Sequence, residues 1–220
     1  MSDNNQHLDS IEDIRQMMQK SSRFISLSGL SGVAAGVCAL IASWMAYDIL
    51  KPYRSGSQVN YNEIENTSNA PGLDYSRLDL TLLYLAAGTF VAAFALAFLF
   101  TWLRSRKTGI SLWGFAARRV MINVAVPMLI GACMILRLIQ LDAYELIPPA
   151  CLIFYGLGLV NASKFALPEI RYMGYGQLIL GGLNLLPSMA GYGLFFWAIG
   201  FGLLHIIYGI VMWNKYERTT

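Results

Sequence analysis

Long apolar runs, parted by short polar and basic stretches, set the pattern of this chain. A helix needs roughly 20 apolar residues to cross a hydrocarbon core of about 30 Å. Runs of that kind lie at approximately 25–49, 80–103, 120–139 and 146–161. The last run, 176–213, would measure about 57 Å as one helix, too long for a single crossing. It contains Leu186-Pro187-Ser188-Met189-Ala190-Gly191, a Pro/Ser/Gly break suited to a tight turn. The pattern therefore predicts two spans there, at 172–187 and 191–213. The fold class it implies is all-α: a polytopic membrane domain over 25–213 with six transmembrane helices.

Loop charge sets the expected threading. Short loops rich in Lys and Arg stay in the cytoplasm. Arg15, Lys20 and Arg23 precede the first span, and Arg104, Arg106, Lys107, Arg118 and Arg119 lie between the second and third. Lys164 and Arg171 follow the fourth, and Lys215 and Arg218 lie in the tail 214–220. The opposite side receives only Lys51, Arg54, Arg77 and Arg137. Both termini are thus predicted to be cytoplasmic. Residues 1–24 form the first segment. Met1–Ser10 is polar and lacks the basic start and short apolar core of a signal peptide. Asp9 with Glu12, and Ile11, Ile14, Met17 and Met18 at helical spacing, predict an amphipathic interfacial helix over 9–24. Such a helix lies on the membrane or docks a cytoplasmic protein partner. The outer loop 50–79 is the one sizeable polar connector.

Composition agrees and narrows the classes. The 220 residues are 56% hydrophobic and 13% charged, with mean hydropathy +0.49; soluble domains carry roughly 25% charged residues. A net charge of +3, scattered along the chain, excludes a nucleic-acid surface. Cys38, Cys133 and Cys151 are unspaced within apolar runs, and the histidines are only His7 and His205. No metal site and no cofactor is expected from such a set.

Small residues mark the first span. Gly32, Gly36, Ala39 and Ser43 recur at four- and three-residue spacing, with Gly29 just before them. Such a face lets helix backbones approach closely, either within the chain or across a homo-oligomer seam. In the same stretch, Gly29-Leu30-Ser31-Gly32 resembles the Gly-x-Ser-Gly nucleophile motif of rhomboid intramembrane proteases, which have a six-span core and a Ser/His dyad. That resemblance implies Ser31 as nucleophile and His205 as its base, and both sit about 12 Å inside the same predicted boundary. The chain departs from the family: rhomboid serines lie on the fourth span, and the second span here has no His or Asn.

Two further groups of residues bear on function. Asp48, Asp79, Arg137, Asp142 and Glu145 gather at the predicted outer face. Arg137, flanked by apolar residues, either pairs with a carboxylate to clamp helix ends or lines the mouth of a pathway. Helix-breaking residues are the second group: Asn123 and Pro127 in span three, Pro148-Pro149 opening span four, and Asn184 with Pro187 in span five. Broken helices expose backbone groups that transporters use for substrate or ions. The sixth span carries Phe195, Phe196, Trp197, Phe201, Tyr208 and Trp213, read as interfacial and packing aromatics.

The phrase Ser21-Ser22-Arg23-Phe24-Ile25-Ser26-Leu27-Ser28-Gly29-Leu30-Ser31-Gly32 is similar to one in a family of bacterial multi-pass inner-membrane proteins without a known activity. The resemblance implies a bacterial cytoplasmic membrane, and no substrate or site. Three functional readings follow from the residues. The leading one is a non-enzymatic structural, sensing or partner-binding membrane component. The others are a small permease or channel with its mouth at Arg137, and an intramembrane serine hydrolase using Ser31 and His205. The expected partners are the lipid bilayer, a second copy of the chain and a cytoplasmic protein, and no nucleic acid.

Overall fold

Residues 28–56, 75–108 and 114–218 are described by a computed structural model of the chain. The predicted amphipathic helix at 9–24, most of the loop 50–79 and the side chain of Asp79 lie outside the described residues. Within them, every regular element is helical. The elements are α1 (Gly29–Gly56), α2 (Tyr75–Thr108), α3 (Phe115–Gln140), α4 (Ile147–Ala162), α5 (Glu169–Asn184) and α6 (Gly193–Tyr216). Five helical stretches are long and apolar enough to cross a membrane: Gly29–Lys51, Leu80–Lys107, Phe115–Gln140, Tyr144–Ala162 and Gly193–Tyr216. At 16 residues, α5 measures about 24 Å, short of a hydrocarbon core of about 30 Å.

Local chemistry explains the helix ends. Pro148 and Pro149 sit in the first turn of α4, where a missing N–H costs nothing. After Asn184 the chain turns extended at Leu186 and passes through a 3-10 segment, Pro187–Tyr192, before α6 begins. Asn184 and Pro187 therefore end one helix and start a connector rather than break a span. Pro127 lies inside α3, which continues through it. Proline there removes the N–H that the carbonyl of Asn123 would accept, and Asn161 of α4 donates its Nδ2–H to that carbonyl at 3.4 Å. A neighbouring helix thus satisfies the freed group, as an apolar surrounding demands.

The helices line up around α6. Its flank packs antiparallel on α1, parallel to α4 and antiparallel to α5, while α3 packs on α4 and α2 on α1. Glycine makes the closest approach. A Cβ on Gly36 would stand 2.6 Å from the carbonyl oxygen of Gly202, and one on Gly209 2.6 Å from the amide nitrogen of Val33. Gly156 and Gly174 meet in the same way between α4 and α5. Backbone contact of this kind replaces hydrophobic drive as the glue of helices in lipid. The small-residue face of α1, with Ala39 also buried, is therefore spent inside one chain.

One end of the bundle is tied by charge. Glu217, just past α6, accepts from the backbone N–H of Gly29, the first residue of α1, and pairs with Arg104 of α2 at 3.1 Å. Glu169, in the first turn of α5, receives Lys215 and, at 2.9 Å, the hydroxyl of Tyr216. Carboxylates at two helix N-termini are favoured by the partial positive charge there.

Candidate functional site

The polar interior of the bundle is built where α4, α5 and α6 meet. Inside α6, Ala198–Leu203 winds as a π-helical segment. Such segments recur at functional positions because they break the regular carbonyl-to-amide ladder. Gly200 and Gly202 lie within it, and both are buried. At Gly200 even a methyl group would run into Leu152 and lie 2.6 Å from the Gln177 side-chain oxygen. The segment is close-packed because it lacks side chains at those two positions.

The carbonyl oxygen of Gly200 accepts two side-chain hydrogen bonds. Gln177 Nε2 of α5 donates at 2.9 Å and His205 Nδ1 at 3.1 Å. A carbonyl only accepts, so Nδ1 carries the proton and Nε2 of the neutral ring is the acceptor. Tyr155 of α4 donates its hydroxyl to Nε2 at 2.9 Å. Tyr155 of α4 and Gly200 of α6 thus fix the imidazole in one tautomer, and Gln177 ties α5 to the same carbonyl. Tyr155 also stacks on the His205 ring, with centroids 5.4 Å apart, and Phe201 and Trp197 extend the aromatic wall. Gln177 is fully buried and His205 nearly so.

Several buried polar atoms around this centre have no hydrogen-bond partner among the described residues. Gln177 Oε1 and Tyr208 Oη are two, and Oε2 of Glu169 is a third nearer the bundle end. Burial pushes the Glu169 carboxyl up, but hydrogen bonds from Lys215 and Tyr216 and the lysine charge outweigh it and hold the group below its ordinary range. Asn184 is also buried, donating to the Met189 carbonyl at 3.0 Å and closing the turn between α5 and α6.

The residues singled out in the sequence fall into place unevenly. Ser31 is buried, but its hydroxyl donates to the carbonyl of Ser28 on its own first turn. Both nitrogens of His205 are engaged by Tyr155 and Gly200, so Ser31 and His205 share no hydrogen bond. At the other end, Arg137 is exposed and bonds Gln140 of its own helix at 3.1 Å. Asp142, in a left-handed conformation at φ 53°, accepts from Tyr144. Asp48 and Glu145 are exposed, and no ion pair joins them to Arg137 among the described residues. Among the described residues no group of His, Cys, Asp and Glu could hold a metal. An apolar groove of ≈ 310 Å³ runs between α1 and α2, lined by Cys38, Ala42, Tyr84, Gly88 and Ala92 among others.

Sequence reading missed Tyr155, Gln177 and Gly200. Gln177 carried a legible sign, being an amide side chain inside an apolar stretch, where an unsatisfied polar group is costly. Tyr155 and Gly200 carried none, because tyrosine and glycine are ordinary in such helices. No family model, curated protein or solved structure matches the chain.

Proposed function

We propose that the chain is a non-enzymatic sensing component of a bacterial inner membrane, whose working part is the Tyr155–His205–Gly200–Gln177 network. It crosses six times, with the stretch 172–187 as the fifth crossing and both termini in the cytoplasm. Support for the threading comes from the loop charges and from the meeting of Gly29, Arg104, Glu169 and Glu217 at one end of the bundle.

The observation that carries the reading is the double acceptance at Gly200. One carbonyl, in the irregular part of α6, receives donors from His205 of its own helix and Gln177 of α5, while Tyr155 of α4 holds the far side of the ring. A hydrogen-bond network that spans three helices couples their positions, and a change at one member is felt by the others. The hydrolase reading would need a hydroxyl on Nε2 that can serve as nucleophile; tyrosine, stacked and donating, stands there instead.

Hydrogen exchange on the protein in lipid nanodiscs tests this. Tyr155→Phe is expected to raise amide exchange in both α5 and α6, as far as the Glu169–Lys215 end, and Ser31→Ala to leave both unchanged. Covalent capture of Ser31 by a fluorophosphonate would overturn the reading in favour of a hydrolase. So would a Tyr155→Phe protein with the exchange pattern of wild type. A reporter active only when exported, fused after Thr220, is expected to stay silent.

A further inference from the structure

Not all basic side chains at the Lys215 end of the bundle are paired. Glu217 takes Gly29 and Arg104. Glu169 takes Lys215 and Tyr216 through one oxygen, and its other oxygen is buried. Among the described residues no ion pair reaches Arg119, Lys164 or Arg171, and all three are exposed. Orientation in a membrane calls for basic loops, but it does not call for cations that are gathered and held in place.

These three meet at the α4–α5 connector, Ser163-Lys164-Phe165. The connector is anchored: Ser163 is buried and bonds back to the Val160 carbonyl at 2.7 Å, and Ala166 and Leu167 after it are buried. Arg171, in the first turn of α5, donates Nε–H to Ser163 Oγ at 3.4 Å. Its two terminal nitrogens are left for another acceptor. Arg119, near the start of α3, holds its guanidinium 4.1 Å from the Phe115 ring centroid and 5.3 Å from that of Phe165. Stacking on rings fixes the plane of an arginine and leaves its N–H fork free for a phosphate. Two residues of chain span at most about 7 Å. Two guanidinium groups from different helices therefore rest on one short connector, and Lys164 is its middle residue.

The surface beside these cations favours a lipid over a soluble anion. Helix α3 stands at an edge of the bundle, packed mainly on α4. Its outer face reads Phe115, Arg119, Ile122, Val126 and Leu129, at four- and three-residue spacing, and all five are exposed. A cation thus heads an apolar stripe that continues for about 15 Å along the helix. Phe115 and Tyr172, the neighbour of Arg171, are also exposed, as aromatics at the headgroup level are.

We propose that Arg119, Lys164 and Arg171 bind the phosphate of an anionic phospholipid, whose acyl chain lies along the Ile122–Leu129 face of α3. The phosphodiester supplies the negative charge that no carboxylate brings to this connector. It bridges α3 and α5, which the protein joins only through α4. The site stands beside the sensing reading and does not draw on it.

Native mass spectrometry of the full chain, in micelles with equal amounts of phosphatidylglycerol and phosphatidylcholine, shows which lipid stays bound. Wild type is expected to prefer phosphatidylglycerol by at least about tenfold, a modest share of three cations at about fivefold each. Arg119→Gln is expected to cut that preference about fivefold, the effect of one cation at a headgroup. Arg119→Gln, Lys164→Gln and Arg171→Gln combined are expected to abolish it. Arg106→Gln, Lys107→Gln and Arg218→Gln combined remove equal charge from exposed positions at the same end and are expected to leave it intact. If the first triple variant does not fold, the single Arg119→Gln change carries the comparison. No preference in wild type, or equal loss in the two triple variants, overturns the site. Displacement of the bound lipid by millimolar inorganic phosphate overturns the lipid as its occupant.

Discussion

Gly29 and Glu217 meet across nearly the whole chain: the glutamate that follows α6 accepts the first backbone N–H of α1. The same carboxylate pairs with Arg104, with both side chains largely shielded, so one residue ties the ends of three helices. Glu217→Gln keeps an acceptor for Gly29 but removes the charge that Arg104 and the α1 N-terminus see. Loss of a charge-assisted bond at this degree of burial costs roughly 2 kcal/mol. Thermal unfolding in detergent is expected to shift downward accordingly, and Glu217→Asp is expected to recover little because the carboxylate retreats from Gly29.

Glycine-to-alanine substitutions separate contact from propensity. Gly36→Ala and Gly209→Ala would press a methyl group against the backbone of the facing helix. Overpacking of this sort costs about 1–3 kcal/mol. Gly88 and Gly182 have nothing within 4 Å of the added carbon. There the change is expected to be neutral, or to gain about 0.5–1 kcal/mol from helix propensity. The four proteins compared in one unfolding assay give the test.

Acid should loosen the join between α5 and α6. The folded Glu169 carboxyl lies below its ordinary range because Lys215 and Tyr216 bind its ionised form against the cost of burial. The sign follows: its contribution is complete above the ordinary carboxylate pKa and is lost as pH falls through the lowered value. Stability of wild type is expected to decline across that acidic window, and Glu169→Gln to flatten the decline. Identical pH profiles for the two proteins would refute the assignment.

Arg137 should be dispensable for folding. Among the described residues its hydrogen bond reaches Gln140 on the same helix, and the side chain is exposed. Exposed polar pairs of this kind contribute about 0–1 kcal/mol. Arg137→Gln is expected to unfold with wild type, and reversing its charge together with Asp142 or Glu145 should show no rescue, because there is little to restore. A double-mutant cycle measures this.

Within the interior, Tyr155→Phe and Ser31→Ala remove one hydroxyl each with opposite expectations. The first leaves Nε2 of a buried imidazole without a donor, at a cost of about 1–3 kcal/mol. The second removes a local bond to Ser28 within the first turn, where the lost hydroxyl serves no other helix. Unfolding midpoints should separate the two.

Much of the architecture was legible in the chain because apolar length and helical spacing are one-dimensional properties. Runs near 25–49, 80–103, 120–139, 146–161 and 191–213 correspond to helices, with ends shifted by a few residues where they run on into polar flanks. The glycine face of α1 was legible for the same reason, since three- and four-residue spacing is a property of one helix. Its partner was not, because Gly202 and Gly209 stand far away in sequence. The pairings of His205, Arg137 and Ser31 were equally out of reach: each residue bonds whatever a neighbour or its own turn supplies, and proximity along the chain misleads. Arg137 lies close to Asp142 in sequence yet bonds Gln140.

What residue order alone determined, then, was that the chain is built of long apolar helices, five of them long enough to cross a membrane where six crossings were expected, and which face of α1 is small enough for backbones to touch. What the tertiary structure decided was the irregular winding at Ala198–Leu203 and the shared acceptor at Gly200. The shared carbonyl takes a donor from Gln177 of α5, and Tyr155 of α4 reaches the His205 ring beside it; a hydrogen bond between helices is a fact of three-dimensional placement that no periodicity encodes.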